Sequence, residues 1–209
     1  MLLDFQSFIN KYSIKTSGVI HVGAHYGKET DTYQNSRINK ILYFEPLKDN
    51  FEKLKERVSQ FDNIVLENLA LGNFKGKIKM HVEEANSGQS SSILKPKGHL
   101  YQYPHIKFNK EEEVEITTLN DYSEENNLDD YNIIVIDVQG YELEVFKGAS
   151  NILKNIDMIV SEVNRAELYE NVTIVTDLDS YLQTFGFKRV FTNWEGYTWG
   201  DAVYIKEKN

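Results

Sequence analysis

The chain has 209 residues, of which 41% are hydrophobic and 26% charged, with a formal net charge of −9 and no cysteine. That length supports one sizeable core, and the composition is that of a folded globular domain. The acidity argues against a sequence-independent grip on nucleic-acid phosphates, and the lack of thiols excludes disulfides and thiolate chemistry.

Leu2, Phe5, Phe8 and Ile9 recur at helical spacing, so residues 1–17 are expected to hold an amphipathic N-terminal helix. The opening residues have neither a basic leader nor a long apolar run. No later segment approaches the roughly 20 apolar residues that a membrane span requires. The expected setting is cytoplasmic, with no membrane span.

Residues 18–209 read as a single α/β domain. Val19, Ile20 and Val22 suit a buried parallel strand, which breaks into a turn punctuated by Gly23 and Gly27 and then a helix over 28–36. In such a turn the backbone can approach a ligand closely, beside the free N–H groups of a helix start. Lys40 to Phe44 is a second strand ending at Glu45, and Leu47, Phe51, Leu54 and Val58 line one face of the next helix. A third strand over 63–67 is expected to run on through Asn68 to Leu71, reaching a turn at Gly72. Lys77 to Val82 alternates as an edge strand.

Residues 85–110 break this rhythm and read as a lid-like insertion carrying His99, Tyr101, Tyr103 and His105. Beyond it come a strand over 114–119 and a short helix over 120–127. Ile133 to Ile136 is the most apolar strand and is expected at the centre of the sheet, ending at Asp137. A helix from Tyr141 to Leu153, a strand from Met158 to near Glu162, and a helix over 174–185 closed by Gly186 follow. Residues 187–191 and 202–205 complete the chain as an antiparallel pair.

Ligands of an open α/β sheet bind beyond the carboxyl ends of its strands. Here those ends carry Gly23 to Gly27, Glu45, Asp137 to Gly140, and Glu162 to Asn164. Glu45 lies 22 residues after Gly23, the distance at which an acidic side chain accepts hydrogen bonds from a ribose. Its bland alternative is a solvated charge before a helix start. A dinucleotide fingerprint needs a glycine where His25 stands, so that the backbone can approach a pyrophosphate. S-adenosylmethionine also presents an adenosine ribose but has no pyrophosphate. The pattern favours the sulfonium cofactor over NAD(P).

Ile136-Asp-Val-Gln-Gly-Tyr-Glu-Leu-Glu-Val-Phe-Lys-Gly-Ala149 closely resembles the signature of the FkbM-type methyltransferases. His21-Val-Gly-Ala-His-Tyr-Gly27, Phe44-Glu-Pro46, Asn68-Leu-Ala-Leu-Gly72, Ser90-Ser-Ser-Ile-Leu94 and Gly200-Asp-Ala202 are similar to further blocks of that family, in the same order. The resemblance implies a Rossmann-like class I methyltransferase fold. Its expected form is a mostly parallel seven-stranded sheet with an antiparallel C-terminal hairpin and helices on both faces. It further implies S-adenosylmethionine-dependent O-methyl transfer to a hydroxyl of a sugar, glycan or small natural product. The matching blocks put His21, Gly23, Ala24, His25, Tyr26, Gly27, Glu45, Pro46, Asn68, Ala70, Ser91, Asp137, Val138 and Gln139 at the cofactor. His21 departs from the pattern, since many methyltransferases carry a carboxylate there that organises the methionine end.

Methyl transfer to oxygen is an in-line displacement assisted by a general base. Asp137 is the first candidate for that base, because its strand is too apolar to need a carboxylate for packing; helix capping is its alternative role. Glu162 and His25 are the other catalytic candidates. Asp137 and Glu162 together are also the candidate ligands of a Mg²⁺ ion, although no third carboxylate is evident. Glu142 is assigned to the helix dipole. His99, Tyr101, Tyr103, Trp194 and Trp199 are candidates for the acceptor site, as an aromatic wall against a sugar face; surface exposure or hairpin packing are the alternatives. The expected partner is a small-molecule or glycan acceptor, not nucleic acid, and oligomeric state is left open. A methyltransferase acting on RNA or protein, an NAD(P)-dependent enzyme and a cofactor-binding module without catalysis are the competing functions.

Overall fold

The computed structural model describes residues 3–207, so Leu2 of the expected N-terminal helix lies outside the described residues. In chain order these residues form α1 (Phe5–Tyr12), β1 (Gly18–Val22), α2 (Thr30–Asn35), β2 (Lys40–Phe44), α3 (Lys48–Val58), β3 (Ile64–Glu67), β4 (Ala70–Leu71) and β5 (Gly76–Val82). They continue with α4 (His99–Gln102), β6 (Lys110–Thr117), α5 (Leu119–Glu125), β7 (Ile133–Ile136), α6 (Glu142–Lys147), β8 (Met158–Asn164), α7 (Val175–Gln183), β9 (Phe187–Glu195) and β10 (Trp199–Lys206).

Seven strands make the main sheet in the order β3-β2-β1-β7-β8-β10-β9, with β10 antiparallel to both its neighbours and the other pairs parallel. Alternation along each strand divides the core in two. Val19, Ile41, Tyr43, Ile133 and Val135 face α1, α2 and α3 through Phe5, Ile9, Tyr33, Leu54 and Val58. Ile20, Val22, Leu42, Phe44, Ile134 and Ile136 face α5, α6 and α7 through Leu119, Phe146, Leu178 and Leu182. The wholly buried β7 is the fourth of the seven strands, as its composition implies. The chain builds outward from β1 to β3 and later returns on the other side of β1 as β7. The strand order therefore reverses between β1 and β7, the place where open α/β sheets bind ligands.

Three details differ from the sequence reading. The third strand does not run on to Leu71: it ends at Glu67, and β4 joins β5 and β6 in a separate sheet ordered β4-β6-β5. Asn68 pins the departure, its side-chain amide donating to the carbonyls of Glu45 and Pro46, each at 2.9 Å. The helix expected from Tyr141 to Leu153 stops at Lys147 and resumes only as a 3₁₀ turn, Ile152–Asn155. Gly148 stands at that end: a Cβ there would lie 1.9 Å from the Gly72 carbonyl oxygen, so this close packing requires glycine. The terminal hairpin is longer than expected and takes both tryptophans into its strands.

Candidate active site

A cavity of about 780 Å³ opens beyond the carboxyl ends of β2, β1, β7 and β8, a volume suited to a cofactor with a small acceptor. At its base the turns after β1 and β7 touch. Gly23 has φ +79°, and a Cβ on it would lie 2.0 Å from the Asp137 carbonyl oxygen. His25 (φ +50°) and Gln139 (φ +54°) adopt the left-handed region without being glycine, so each of these two turns carries some backbone strain. Glu45, at the tip of β2, is buried and accepts from the backbone N–H groups of His25 (2.7 Å) and Leu47 (3.0 Å). Burial pushes its carboxyl up to about 7, opposed by those bonds and one from Asn50. A carboxylate has about four acceptor sites, so with three taken about one lone pair remains for a ligand's hydroxyl.

Gln139 is the hub of the β7 turn. Its amide nitrogen donates to Asp137 Oδ1 (2.8 Å) and Glu162 Oε2 (2.9 Å), and its amide oxygen accepts from the Tyr169 hydroxyl (2.9 Å). Its backbone carbonyl accepts from Ser92 Oγ (2.8 Å). Asp137 faces the open cavity, yet the surrounding walls desolvate it and push its carboxyl up to about 6, with the Gln139 bond opposing and Asp201 adding to the rise. Glu162 is buried and its carboxyl is pushed well up, by burial first and then by Asp137. Like charges this close do not ionise together, so the pair retains a proton near neutrality. Glu142 folds back to accept from the N–H groups of Val138 (3.1 Å) and Gly140 (3.0 Å), and burial raises its carboxyl to about 7. Its work is to shape this turn as much as to meet a helix dipole.

The methyltransferase FkbM domain matches residues 21–189, which span both turns, Glu45, the hub and most of the sheet. The chain belongs to the FkbM methyltransferase family. A 2-O-methyltransferase, NoeI, of Sinorhizobium fredii (strain NBRC 101917 / NGR234) is 28% identical over 158 residues, covering 73% of this chain and 65% of that protein. The chain thus spans somewhat less than two thirds of this relative's length. Among solved structures, TrmK from M. capricolum, in complex with S-adenosylhomocysteine, superposes with a TM-score of 0.55 at 9% identity, covering 100% of this chain and 70% of that one. Magnesium protoporphyrin IX methyltransferase from Synechocystis PCC 6803, with bound S-adenosylmethionine, gives 0.52 at 9% identity, covering 99% and 86%. These likenesses show the fold: a class I methyltransferase sheet with its antiparallel hairpin.

In this FkbM chain the cavity is lined by His21, Gly23, Ala24, His25, Glu45, Pro46, Ala70, Ser91, Asp137, Val138, Gln139 and Glu162. Tyr26, Gly27 and Asn68 are not among its lining residues. Tyr26 stacks on His25 with ring centroids 3.7 Å apart, and its hydroxyl donates to the Ser87 carbonyl. Gly27 turns the chain against Leu54, and Asn68 holds the tip of β2. His25 Nε2 lies 2.7 Å from the same Ser87 carbonyl, so that nitrogen carries the hydrogen and is engaged. This tie fixes the orientation of the His25 ring against the loop.

Of the acceptor-site candidates, His99, Tyr103 and Trp199 line the cavity. Trp199 Nε1 donates to the Tyr103 hydroxyl at 3.0 Å, and His99 is buried among Tyr103, Phe108 and Tyr169. Tyr101 is 88% exposed and does not reach the cavity, and Trp194 instead packs under the Arg165 guanidinium at 3.5 Å. The two-carboxylate metal site does not fit Mg²⁺, which takes an octahedral shell of oxygens: the Gln139 amide, a donor, already joins Asp137 to Glu162. Among the described residues no group of three or more His, Cys, Asp or Glu is arranged to hold a metal. Sequence reasoning missed Asp201, which stands opposite Glu162 in the β8–β10 register and lines the same cavity. The signal was the strand alternation around Gly200-Asp-Ala202, which only the register turns into a position.

Proposed function

We propose that the chain is an S-adenosylmethionine-dependent O-methyltransferase acting on a hydroxyl of an uncharged small molecule or sugar. The observation that carries this reading is the pairing, across the strand-order reversal, of Glu45 on β2 with the Asp137–Gln139–Glu162 group on β7 and β8. Glu45 offers its remaining lone pair to a ribose hydroxyl, and the contact between Gly23 and Asp137 leaves the tips of β1 and β7 low enough for a ligand to lie across them. When bound, the cofactor supplies an electrophilic methyl on a sulfonium. Asp137 takes the acceptor's proton as the oxygen–methyl bond forms and the sulfur–methyl bond breaks. Gln139 holds Asp137 in place, and burial keeps its carboxyl near the range useful to a base at neutral pH.

The acceptor's charge class follows from the walls. Asp137, Asp201 and Glu195 line the cavity, and Lys28 is the only lysine or arginine among its described lining residues. A phosphorylated or nucleotide-linked acceptor would set like charges together in a poorly solvated space. Tyr103 and Trp199 offer an aromatic face with polar edges, which suits a sugar.

Calorimetry should register S-adenosylmethionine and not NAD; heat from NAD alone would overturn the reading. A screen with methyl-labelled cofactor should then label neutral glycans or polyols in preference to sugar phosphates and RNA. Asp137→Asn should lower kcat by about 10²- to 10⁴-fold, and EDTA should leave the rate unchanged.

A further inference from the structure

We infer that the acceptor is an N-acylated amino sugar, whose carbonyl oxygen is held by a wall of hydrogen-bond donors made of His99 and Tyr103. This rests on the reading of the chain as an O-methyltransferase and adds to it the chemical class of the acceptor. In the sheet order, Glu45 stands at the tip of β2, and β8 lies three strands further on. At about 4.8 Å per strand that is about 14 Å, past the tips of β1 and β7 across which the cofactor is read to lie. α4 closes the cavity at this far end. Its start is tied to the segment after β8, where the His99 N–H donates to the Leu168 carbonyl at 3.0 Å. Tyr103, just past its end, is tied to β10 by the Trp199 indole N–H. His99 and Tyr103 both line the cavity, with ring centroids 4.9 Å apart.

Each of these side chains has a hydrogen to give and no acceptor for it among the described residues. His99 is 3% exposed, and its Nδ1 is sealed without a hydrogen-bond partner. Burial lowers its pKa, so the imidazole is uncharged at neutral pH and carries a single N–H. An N–H sealed without a partner is disfavoured more than a sealed lone pair. The hydrogen therefore sits on Nε2, at the tip of the ring, and the cavity meets a donor. The Tyr103 oxygen accepts from Trp199 Nε1 (3.0 Å) and Gln102 Nε2 (2.9 Å), which fills both its lone pairs and leaves its proton to a ligand. A ligand hydroxyl held by such donors would still need an acceptor for its own proton, and this wall offers none. A carbonyl oxygen has two lone pairs and no proton, so donors alone complete it. A carboxylate would be completed in the same way, but Asp137, Asp201 and Glu195 on the cavity walls disfavour an anion. On a sugar, the acylamino group supplies a neutral carbonyl oxygen.

The test pairs acceptors that differ only in that group. With methyl-labelled S-adenosylmethionine, the full chain is offered the methyl glycosides of N-acetylglucosamine and N-acetylgalactosamine beside those of glucose and galactose. In at least one pair the acetylated sugar should show a kcat/KM at least about tenfold above that of its parent hexose. His99→Phe and Tyr103→Phe keep the rings and lose the donors. Each should lower that kcat/KM by about 10- to 100-fold, mostly through KM, and leave the parent hexose and the Kd of S-adenosylhomocysteine within about twofold. His99→Gln, which restores an N–H near the Nε2 position, should recover part of the loss. Equal or faster labelling of the hexoses, or variants that keep the acetylated rate or lower both rates alike, overturns the assignment. So does the absence of label in every sugar from a chain that binds S-adenosylhomocysteine, and each of these results leaves the cofactor reading intact. An unaltered chain that does not bind S-adenosylhomocysteine overturns the cofactor reading and this assignment with it.

Discussion

At the scale of single residues, the site is governed by carboxylates kept partly protonated by enclosure. Glu45 (about 7) and Asp137 (about 6) both titrate above their ordinary values because burial disfavours the charge. A carboxyl whose folded-state pKa is raised holds its proton more tightly in the folded chain than in the unfolded one. Its contribution to stability is therefore present at low pH and lost as the pH climbs from about 4.5 through about 7. The ligand-free chain should melt at a lower temperature at pH 8 than at pH 5.5, and Glu45→Gln should flatten part of that slope in a differential scan. Cofactor binding runs the other way, because the ionised Glu45 is the better acceptor for ribose hydroxyls. Affinity for S-adenosylhomocysteine should rise about tenfold between pH 6 and pH 8, one proton's worth of linkage. Glu45→Gln should bind about 10- to 100-fold more weakly and lose that pH dependence. Glu45 was legible from its spacing to Gly23. The Gln139 hub was not, because what makes it a hub is Tyr169, Ser92 and Glu162, which arrive from distant parts of the chain.

At the scale of elements, strand placement was readable and helix ends were not. Apolar runs report burial whatever their neighbours are, which is why Ile133 to Ile136 could be set at the centre of the sheet. The end of α6 instead packs on Gly72, 76 residues earlier, a contact that no local pattern encodes. The Phe-Lys-Gly-Ala ending of the family signature thereby gains a physical reason: Gly148 lets the carbonyl of Gly72 in, and its own carbonyl accepts from the Asn120 N–H at 2.9 Å. Gly148→Ala should cost about 2–4 kcal/mol, as overpacking against a backbone atom allows little relaxation. Urea titration should find the midpoint lowered with m unchanged. The expected lid shows the same limit. Residues 84–92 are fastened by Ser92 to Gln139, by Tyr169 to the Ser90 carbonyl, and by His25 and Tyr26 to the Ser87 carbonyl. A polar stretch without periodicity gave no hint of these partners.

At the scale of the whole molecule, two sheets and a fastened loop converge on one cavity. The main sheet contributes the strand tips, the sheet of β4, β5 and β6 contributes Ala70, Leu71 and Met80, and the loop contributes Ser90, Ser91 and Ile93. A ligand filling that cavity would touch parts of the chain far apart in sequence. Ligand that binds the folded state alone adds stability as RT ln(1 + [L]/Kd), about 2.7 kcal/mol at a hundredfold excess over Kd. For a domain of this size each kcal/mol moves Tm by roughly 2–4 °C. S-Adenosylhomocysteine at that concentration should therefore raise Tm by about 5–11 °C. The size of the shift at matched saturation is fixed by this linkage, while its spread over the molecule is fixed by the convergence. Amide exchange should slow together in the Gly23 turn, the Gln139 turn and residues 84–92. Slowing confined to the Gly23 turn would mean that the loop and second sheet stand apart from the ligand, and would reduce the site to the main sheet alone.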